Sequence, residues 1–432
     1  MKTTKNLLLV ITSMFIASMI ILFSCRNYTG PAKDGIFGYD KDYTLAPLSG
    51  SGGELVVHGF TLPPNSLSQE EQNDYYDPEY NSITLFNNND IPALITTSNG
   101  TILATAGTTN AQLVVKRSTD MGKTWMQSTV NGTVSTASYS RPFFINCHNG
   151  DVLLGITSNV NNTGKSTFIY RSKDNGSTWT KQTNINFTNV CADTKDCFVT
   201  YGQGVTLRHQ SDANSKKLLF PYAYIPKTGG NGFNTATMLS SDDGSYFTNN
   251  YSNGTKGFGM FSVFEPKFVE LSSGKLLLIM NMTNKANQQV CSISSDCGKN
   301  WNGSKNNISV LNSQNVKHTD FVRYEFNGEP IKFGGKSNAL MAYFSYNGHN
   351  YGVKLTENDF NNGGANMFSK EQEIISSTSE TDGYPAITVL PDGTIATLTE
   401  EGNGKIVFRR FNYYWLTDGQ DSIDYSKDLK FN

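Results

Sequence analysis

Four stretches of the chain alternate in the same way. An apolar run meets a short polar turn carrying Gly, and a second apolar run follows: ALITTSNGTILATA, FFINCHNGDVLLGIT, FVELSSGKLLLIMN and AITVLPDGTIATLTE. Apolar runs of this length bounded by turn residues predict strands, and each pair predicts a β-hairpin. Shorter runs, AQLVVKR, STFIYR, TATML and QVCSI, then lead into a second pattern, Ser-x-Asp-x-Gly-x-x-aromatic. Its copies are STDMGKTW from Ser118, SKDNGSTW from Ser172, SSDDGSYF from Ser240 and SSDCGKNW from Ser294, spaced 54, 68 and 54 residues apart. A recurring period of this size indicates a repeat architecture. In the motif, Gly takes a positive φ and the Ser and Asp oxygens accept from turn amides. Asp120, Asp174, Asp242 and Asp296 therefore read as turn formers, and Trp125, Trp179 and Trp301 as packing residues.

Two hairpins per repeat make a four-stranded sheet, and sheets repeated radially make a propeller. The expected fold is all-β, a six-bladed β-propeller with four-stranded antiparallel blades. The blades are expected to begin near Pro92, Pro142, Gly204, Pro266, Asn338 and Pro385, the fifth keeping only a worn turn, TENDF. The segment ELVVHGFTL is expected to help close the ring.

The N-terminus has a different pattern. Lys2 and Lys5 precede an almost unbroken apolar run from Leu7 to Phe23, which is short for a membrane span. It ends in Leu22-Phe23-Ser24-Cys25, which resembles a bacterial lipoprotein cleavage box. This predicts a signal peptide over 1–25, lipid attachment at Cys25, a flexible tether over 26–51, the propeller over 52–420 and a C-terminal tail over 421–432. An uncleaved anchor helix is the alternative. Either places the protein in the cell envelope, exported and held to the membrane by its N-terminus. Export permits disulfides. Cys191 and Cys197 are the better candidate pair, Cys291 and Cys297 a second one, and Cys147 the expected free thiol. No spacing suggests a zinc site, and no cofactor is expected. The 432 residues carry a formal net charge of -2, with no basic stripe to suggest nucleic acid. A monomer is expected.

The Ser-x-Asp-x-Gly-x-x-Trp motif is the Asp box. With Ile-Pro opening the first blade and Glu-Pro the fourth, the chain resembles the sialidase (neuraminidase) family. GQGVTLRHQ with KLLFPYAYI is similar to the third blade of that family, FEPKFVELSSGKLLLIMN to the fourth, and GYPAITVLPDGTIATLTEEG through FRRFNYYWL to the last. The resemblance spans most of residues 80–418. It implies an active site at the centre of the ring, with a tyrosine nucleophile, a glutamate that accepts its proton, and an aspartate as general acid. It also implies three arginines that clamp the carboxylate of sialic acid. A tyrosine nucleophile is an exception among glycosidases, and a guanidinium fork suits a carboxylate.

Carried over residue by residue, Glu265 matches the glutamate and Tyr384 the nucleophile, although Pro385 follows where the family usually has Ser. The remaining positions depart from the pattern. Asp90 stands where the first arginine is expected, Thr283 near the second, and His349 or Asn350 near the third. The general-acid loop is shortened to TAGTTNAQ, with Asn110 its nearest polar residue. Arg117 and Arg171 precede Asp boxes and are expected to lie away from the cavity. The funnel is thus expected to hold an anion and uncharged groups in place of a guanidinium clamp.

Two like charges about 4 Å apart repel by ~4 kcal/mol at an effective dielectric near 20. Loss of a charged hydrogen bond adds ~1.5–3 kcal/mol. Asp90 should therefore oppose an acidic sugar. Three readings follow. The first is an exo-α-sialidase-type glycoside hydrolase of impaired activity or altered specificity acting on terminal sugars of glycoconjugates. Asp90, Thr283 and His349 would line its substrate pocket. The second is a non-catalytic glycan-binding propeller using aromatics such as Tyr222 and Tyr224. The third is a worn scaffold for protein contacts.

Overall fold

The computed structural model describes residues 81–421 apart from 159–165, 184–193, 211–216, 228–233, 241–242, 250–262, 283–288, 302–305, 308–315, 332–337, 346–347, 365 and 381, together with 56–57, 60–61, 78 and 423. Six antiparallel sheets follow one another around a central channel. The inner strands are Asp90–Thr96, Tyr139–Asn146, Thr194–Val199, Val263–Glu270, Val316–Arg323 and Ala386–Val389. They are numbered here as blades one to six.

Stacked blades bury both faces of their middle strands, so these strands are apolar at every position. Leu276–Met280 and Leu340–Phe344 are fully covered runs of this kind. Outer strands face solvent and are polar, as in Met126–Thr129.

The ring closes with Ser82–Phe86, which pairs antiparallel with Ile406–Phe411 as the outer strand of blade six. This corrects the expectation for ELVVHGFTL, whose Val56–Val57 and Phe60–Thr61 pair with each other. Two blade starts also differ. The fifth begins at Val316, well before Asn338. In the third, Thr194–Val199 and Val205–Thr206 both pair with Leu218–Pro226. Between these segments the chain swings into the channel, where Gly202 and Gln203 add in parallel to Phe143 and Phe144 of blade two.

The Asp boxes work as turn locks. Ser172 Oγ accepts from Gly176 N at 2.7 Å and donates to Asp174 Oδ1 at 2.8 Å, and Asp174 accepts from Thr178 N. The boxes at Ser118 and Ser294 repeat this. The worn fifth copy keeps the geometry, with Thr356 bonded to Asn358 and accepting from Phe360 N.

Each box also seats against the preceding blade. Arg117 Nε donates to Asn175 O, and Arg171 donates to Asp151 and to Asp243 O. Both arginines lie away from the channel, as expected. Trp125 packs edge-on against Phe408 of blade six and Trp301 stacks on Phe268. Tyr222 and Tyr224 are buried in the core between blades two and three, so they offer no surface to a glycan.

Cys147, Cys291 and Cys297 are free thiols. This bears out Cys147 and overturns the Cys291–Cys297 pair. Cys197 is disulfide-bonded. Cys25, Cys191 and Thr283 lie outside the described residues.

Candidate active site at the channel entry

Four inner strands open with a residue followed by proline: Ile91-Pro92, Arg141-Pro142, Glu265-Pro266 and Tyr384-Pro385. In the first three the strand register shifts at this step. The residue before proline takes a positive φ there, 46° at Ile91, 54° at Arg141 and 51° at Glu265. A bulge re-aims a side chain. Here the side chains of Arg141, Glu265 and Tyr384 converge on one point.

Tyr384 Oη donates to Glu265 Oε1 at 3.2 Å, and Arg141 Nη1 donates to the same oxygen at 3.4 Å. Glu265 Oε2 lies 2.6 Å from His318 Nδ1 and accepts from Asn281 Nδ2 at 3.0 Å. His318 is buried and stacks on the Tyr384 ring with centroids 3.9 Å apart. Its other nitrogen lies 2.5 Å from Asp382 Oδ1, which Lys317 Nζ also reaches at 2.5 Å. Tyr201 meets the Tyr384 ring edge-on at 4.9 Å.

Burial alone would raise the Glu265 carboxyl. His318 and Arg141 outweigh it and bring it down to about 2. Burial and the Glu265 charge push the Tyr384 phenol well above its usual range. The proton therefore rests on Tyr384, and Glu265 is an ionised acceptor aimed at it. That is the arrangement needed for a phenol to lose its proton to a base as it attacks.

Below this cluster the channel holds a buried ion pair. Lys267 Nζ lies 3.2 Å from Asp320 Oδ1, donates to Tyr201 O and sits 3.5 Å over the Tyr201 ring.

Glu265 and Tyr384 are thus brought together. Asp90 stands exposed at the rim of blade one, paired across its strand with Gly107. The protein wall beside Asp90 pushes its carboxyl above the usual range, and Arg141 acts in the opposite sense. A Cβ on Gly107 would lie 2.2 Å from Asp90 Oδ1, so a larger residue there would make this exposed carboxylate move.

His349 lies in the hairpin turn between the second and third strands of blade five. Its carbonyl accepts from Thr378 N at 2.7 Å, and its ring centroid is 6.5 Å from that of Phe344. Asn110 is exposed in the corresponding turn of blade one.

The sequence reading missed four groups of the entry: Arg141, His318, Asp382 and Glu400. Arg141 corrects the expectation that no guanidinium lines the funnel. One does, and it is engaged with Glu265. Its signal was present in the Arg-Pro step that opens blade two, parallel to Ile-Pro and Glu-Pro. Glu400 is buried and accepts from the backbone N–H of Ile91 and, at 3.1 Å, of Tyr384. Burial, with Asp90 and Glu380 adding to it, pushes its carboxyl up to about 8. Among the described residues no cluster of three or more His, Cys, Asp or Glu side chains is placed to hold a metal ion.

The pattern of the BNR repeat-like domain family matches residues 70–342. A sialidase of Micromonospora viridifaciens is 25% identical over 414 residues, covering 86% of this chain and 58% of that protein. The chain therefore spans less than two thirds of that relative's length. Among solved structures, a Hadza microbial sialidase superposes with a TM-score of 0.57 at 17% identity, over 84% of this chain and 73% of that one. The intramolecular trans-sialidase from Ruminococcus gnavus, in complex with oseltamivir carboxylate, gives 0.59 at 15% identity, over 76% and 95%. These likenesses bear on the fold. With its family pattern covering well over half of its length, the chain belongs to the BNR repeat-like domain family and is a homologue of sialidases.

Proposed function

We propose that this protein is a sialidase-type glycoside hydrolase of altered specificity, acting on terminal sugars of glycoconjugates. The observation that carries this is the Tyr384–Glu265 pair at the channel entry. Tyr384 is the nucleophile and Glu265 the acceptor of its proton. Asp90 at the rim disfavours an acidic sugar, and Arg141 is already engaged by Glu265, so neutral or amino sugars suit the pocket better. The Lys2–Cys25 segment further suggests an exported protein held to the envelope by a lipid on Cys25.

One observation favours a second reading. Each Glu265 oxygen has two donor partners, and its carboxyl is held at about 2. So weak a base favours a propeller that holds a glycan without turning it over.

The test is hydrolysis of a fluorogenic sialoside and of a panel of neutral aryl glycosides by the purified protein. Turnover of a neutral glycoside that falls about a thousandfold or more in Tyr384→Phe supports the proposal, since loss of a nucleophile removes several kcal/mol of transition-state stabilisation. Strong Tyr384-dependent sialoside turnover overturns the altered specificity. Binding with no turnover of any substrate supports the second reading. In Asp90→Arg, a gain in sialoside affinity would show that position 90 faces the sugar.

A further inference from the structure

The inner strands leave the channel at its other face, about 16 Å from the Tyr384 cluster for five residues of strand. A cavity of about 150 Å³ opens there, lined by Thr96, Gln203, Thr206, Arg208, Glu270 and Arg323 among others. The hairpin Glu325–Phe326 with Glu329–Pro330, turned by Asn327 and Gly328, reaches over it. Asn327 Nδ2 donates to Ser98 O of blade one at 2.8 Å, which ties the hairpin across the mouth.

Most charges in this cavity are paired. Glu270 accepts from the backbone N–H groups of Arg208 and His209 and from Gln210. Arg323 bonds Glu325 at 2.6 Å and Asp359 at 2.7 Å, and His209 Nε2 lies 2.8 Å from Glu325 Oε2. Arg208 is the exception. Its guanidinium makes one hydrogen bond, from Nη1 to Asn327 O at 3.3 Å, and among the described residues no carboxylate stands within ion-pair distance of it. A guanidinium has five N–H donors. Burial outweighs the more distant Glu325, Glu270 and Asp243 and lowers its pKa, so the charge is held there at a cost in desolvation.

Its support is rigid. A Cβ at Gly328, where φ is +87°, would lie 2.7 Å from Arg208 Cδ, so the arginine stem runs flat against that glycine. A held, half-buried guanidinium fork facing a polar cavity suits a planar or tetrahedral oxyanion. A cavity of about 150 Å³ is the size that takes a ligand of about six heavy atoms.

We propose that this exit-face cavity is a second ligand site, in which Arg208 receives the carboxylate or phosphate group of a small anion. The site stands apart from the Tyr384 cluster and does not rest on the hydrolase reading.

The experiment uses the full chain labelled with ¹⁵N-arginine, whose side-chain Nε–Hε resonances are followed during titration with glycolate and with inorganic phosphate. Sodium chloride at matched ionic strength is the control. The Arg208 resonance is assigned by its loss in Arg208→Met, which keeps the stem against Gly328. The expected result is a saturable shift of that resonance with a Kd of order 1 mM, about −4 kcal/mol. The stronger of the two probes identifies the anion class. Arg208→Lys keeps the charge but not the fork and should weaken binding about tenfold, whereas Tyr384→Phe should leave it unchanged. Absence of a saturable Arg208 shift with either probe, or a shift reproduced by sodium chloride, overturns the proposal. Saturable binding that survives in Arg208→Met places the anion elsewhere and overturns it as well.

Discussion

Arg141 and Glu265 stand at equivalent positions of blades two and four, each at positive φ before a proline, and their side chains meet across the channel at 3.4 Å. Glu265 is almost fully enclosed, so its charge depends on its partners. Removing one partner of a buried pair costs up to about 3–5 kcal/mol, and less where one partner reaches solvent, as Arg141 does. Arg141→Met should therefore destabilise the protein by about 1–3 kcal/mol at neutral pH. The Glu265 carboxyl is depressed to about 2 in the folded state. Its contribution is present above the unfolded value near 4.5 and fades as pH falls toward 2. Urea denaturation at pH 7 and pH 3 should show the deficit shrinking in acid. An equal deficit at both would mean that Arg141 stabilises by packing alone.

His318 carries the opposite sign. Its carboxylate neighbours Glu265 and Asp382 raise its pKa against the effect of burial. The stability it contributes is complete below about 6.5 and lost as pH rises through its folded value. Asp382 is held at about 2, where His318 and Lys317 overcome its desolvation, and Glu265 at about 2 as well. The network is therefore fully charged between about pH 4.5 and 6.5. Arg141 and Tyr384 also meet Glu265, Lys317 also meets Asp382, and the Lys267–Asp320 pair and Tyr201 lie beneath. His318→Asn should cost roughly 3 kcal/mol there, and less at pH 9 and at pH 3. A deficit independent of pH would sink this account.

Glu400 should respond differently again. Its carboxyl is raised to about 8, so the folded state binds the proton more tightly than the unfolded chain. Stability then falls as pH rises from about 4.5 to 8, by at most about 1.4 kcal/mol per pH unit. Glu400→Gln removes that slope. It also sets an amide N–H₂ against a backbone N–H of Ile91 or Tyr384, which costs about 1–3 kcal/mol at every pH. The decisive measurement is thus the pH slope of unfolding free energy, steeper in the parent than in the variant.

The fold was readable because its turns are chemical. Ser118, Asp120 and Gly122, and their repeats, specify a lock that can be recognised without the rest of the blade. Tyr384 and Glu265 were readable because ordered blades carry them to known places. Blade five began out of sight because the strand around His318 has no opening proline, and the Asn327-Gly328 turn after it closes a separate small hairpin before the blade's second strand, Ala339–Ser345. His318 itself was invisible for the same reason, since a histidine within a strand declares nothing until its neighbours across the channel are known. Arg141 was readable in principle. That a residue before an opening proline can face the channel becomes evident only when Arg141, Glu265 and Tyr384 are set side by side.

Gly202 links this architecture to the candidate chemistry. It sits where the chain crosses from blade three into the channel, at φ +92°, and a Cβ there would lie 2.6 Å from both Asp320 Oδ1 and Lys267 Nζ. Both atoms belong to the buried pair beneath Tyr201, and neither can withdraw without breaking it. The left-handed backbone costs a non-glycine residue about 1–2 kcal/mol by itself, and a disturbed buried pair adds more. Gly202→Ala should lower stability by about 3 kcal/mol or more in chemical denaturation. The strain should also reach the entry cluster, because Tyr201 holds the Tyr384 ring edge-on. Turnover or glycan binding at the entry should fall in the variant under conditions where it remains folded. If Gly202→Ala were as stable and as competent as the parent, the crossing segment could not be what fixes Tyr201 against Tyr384.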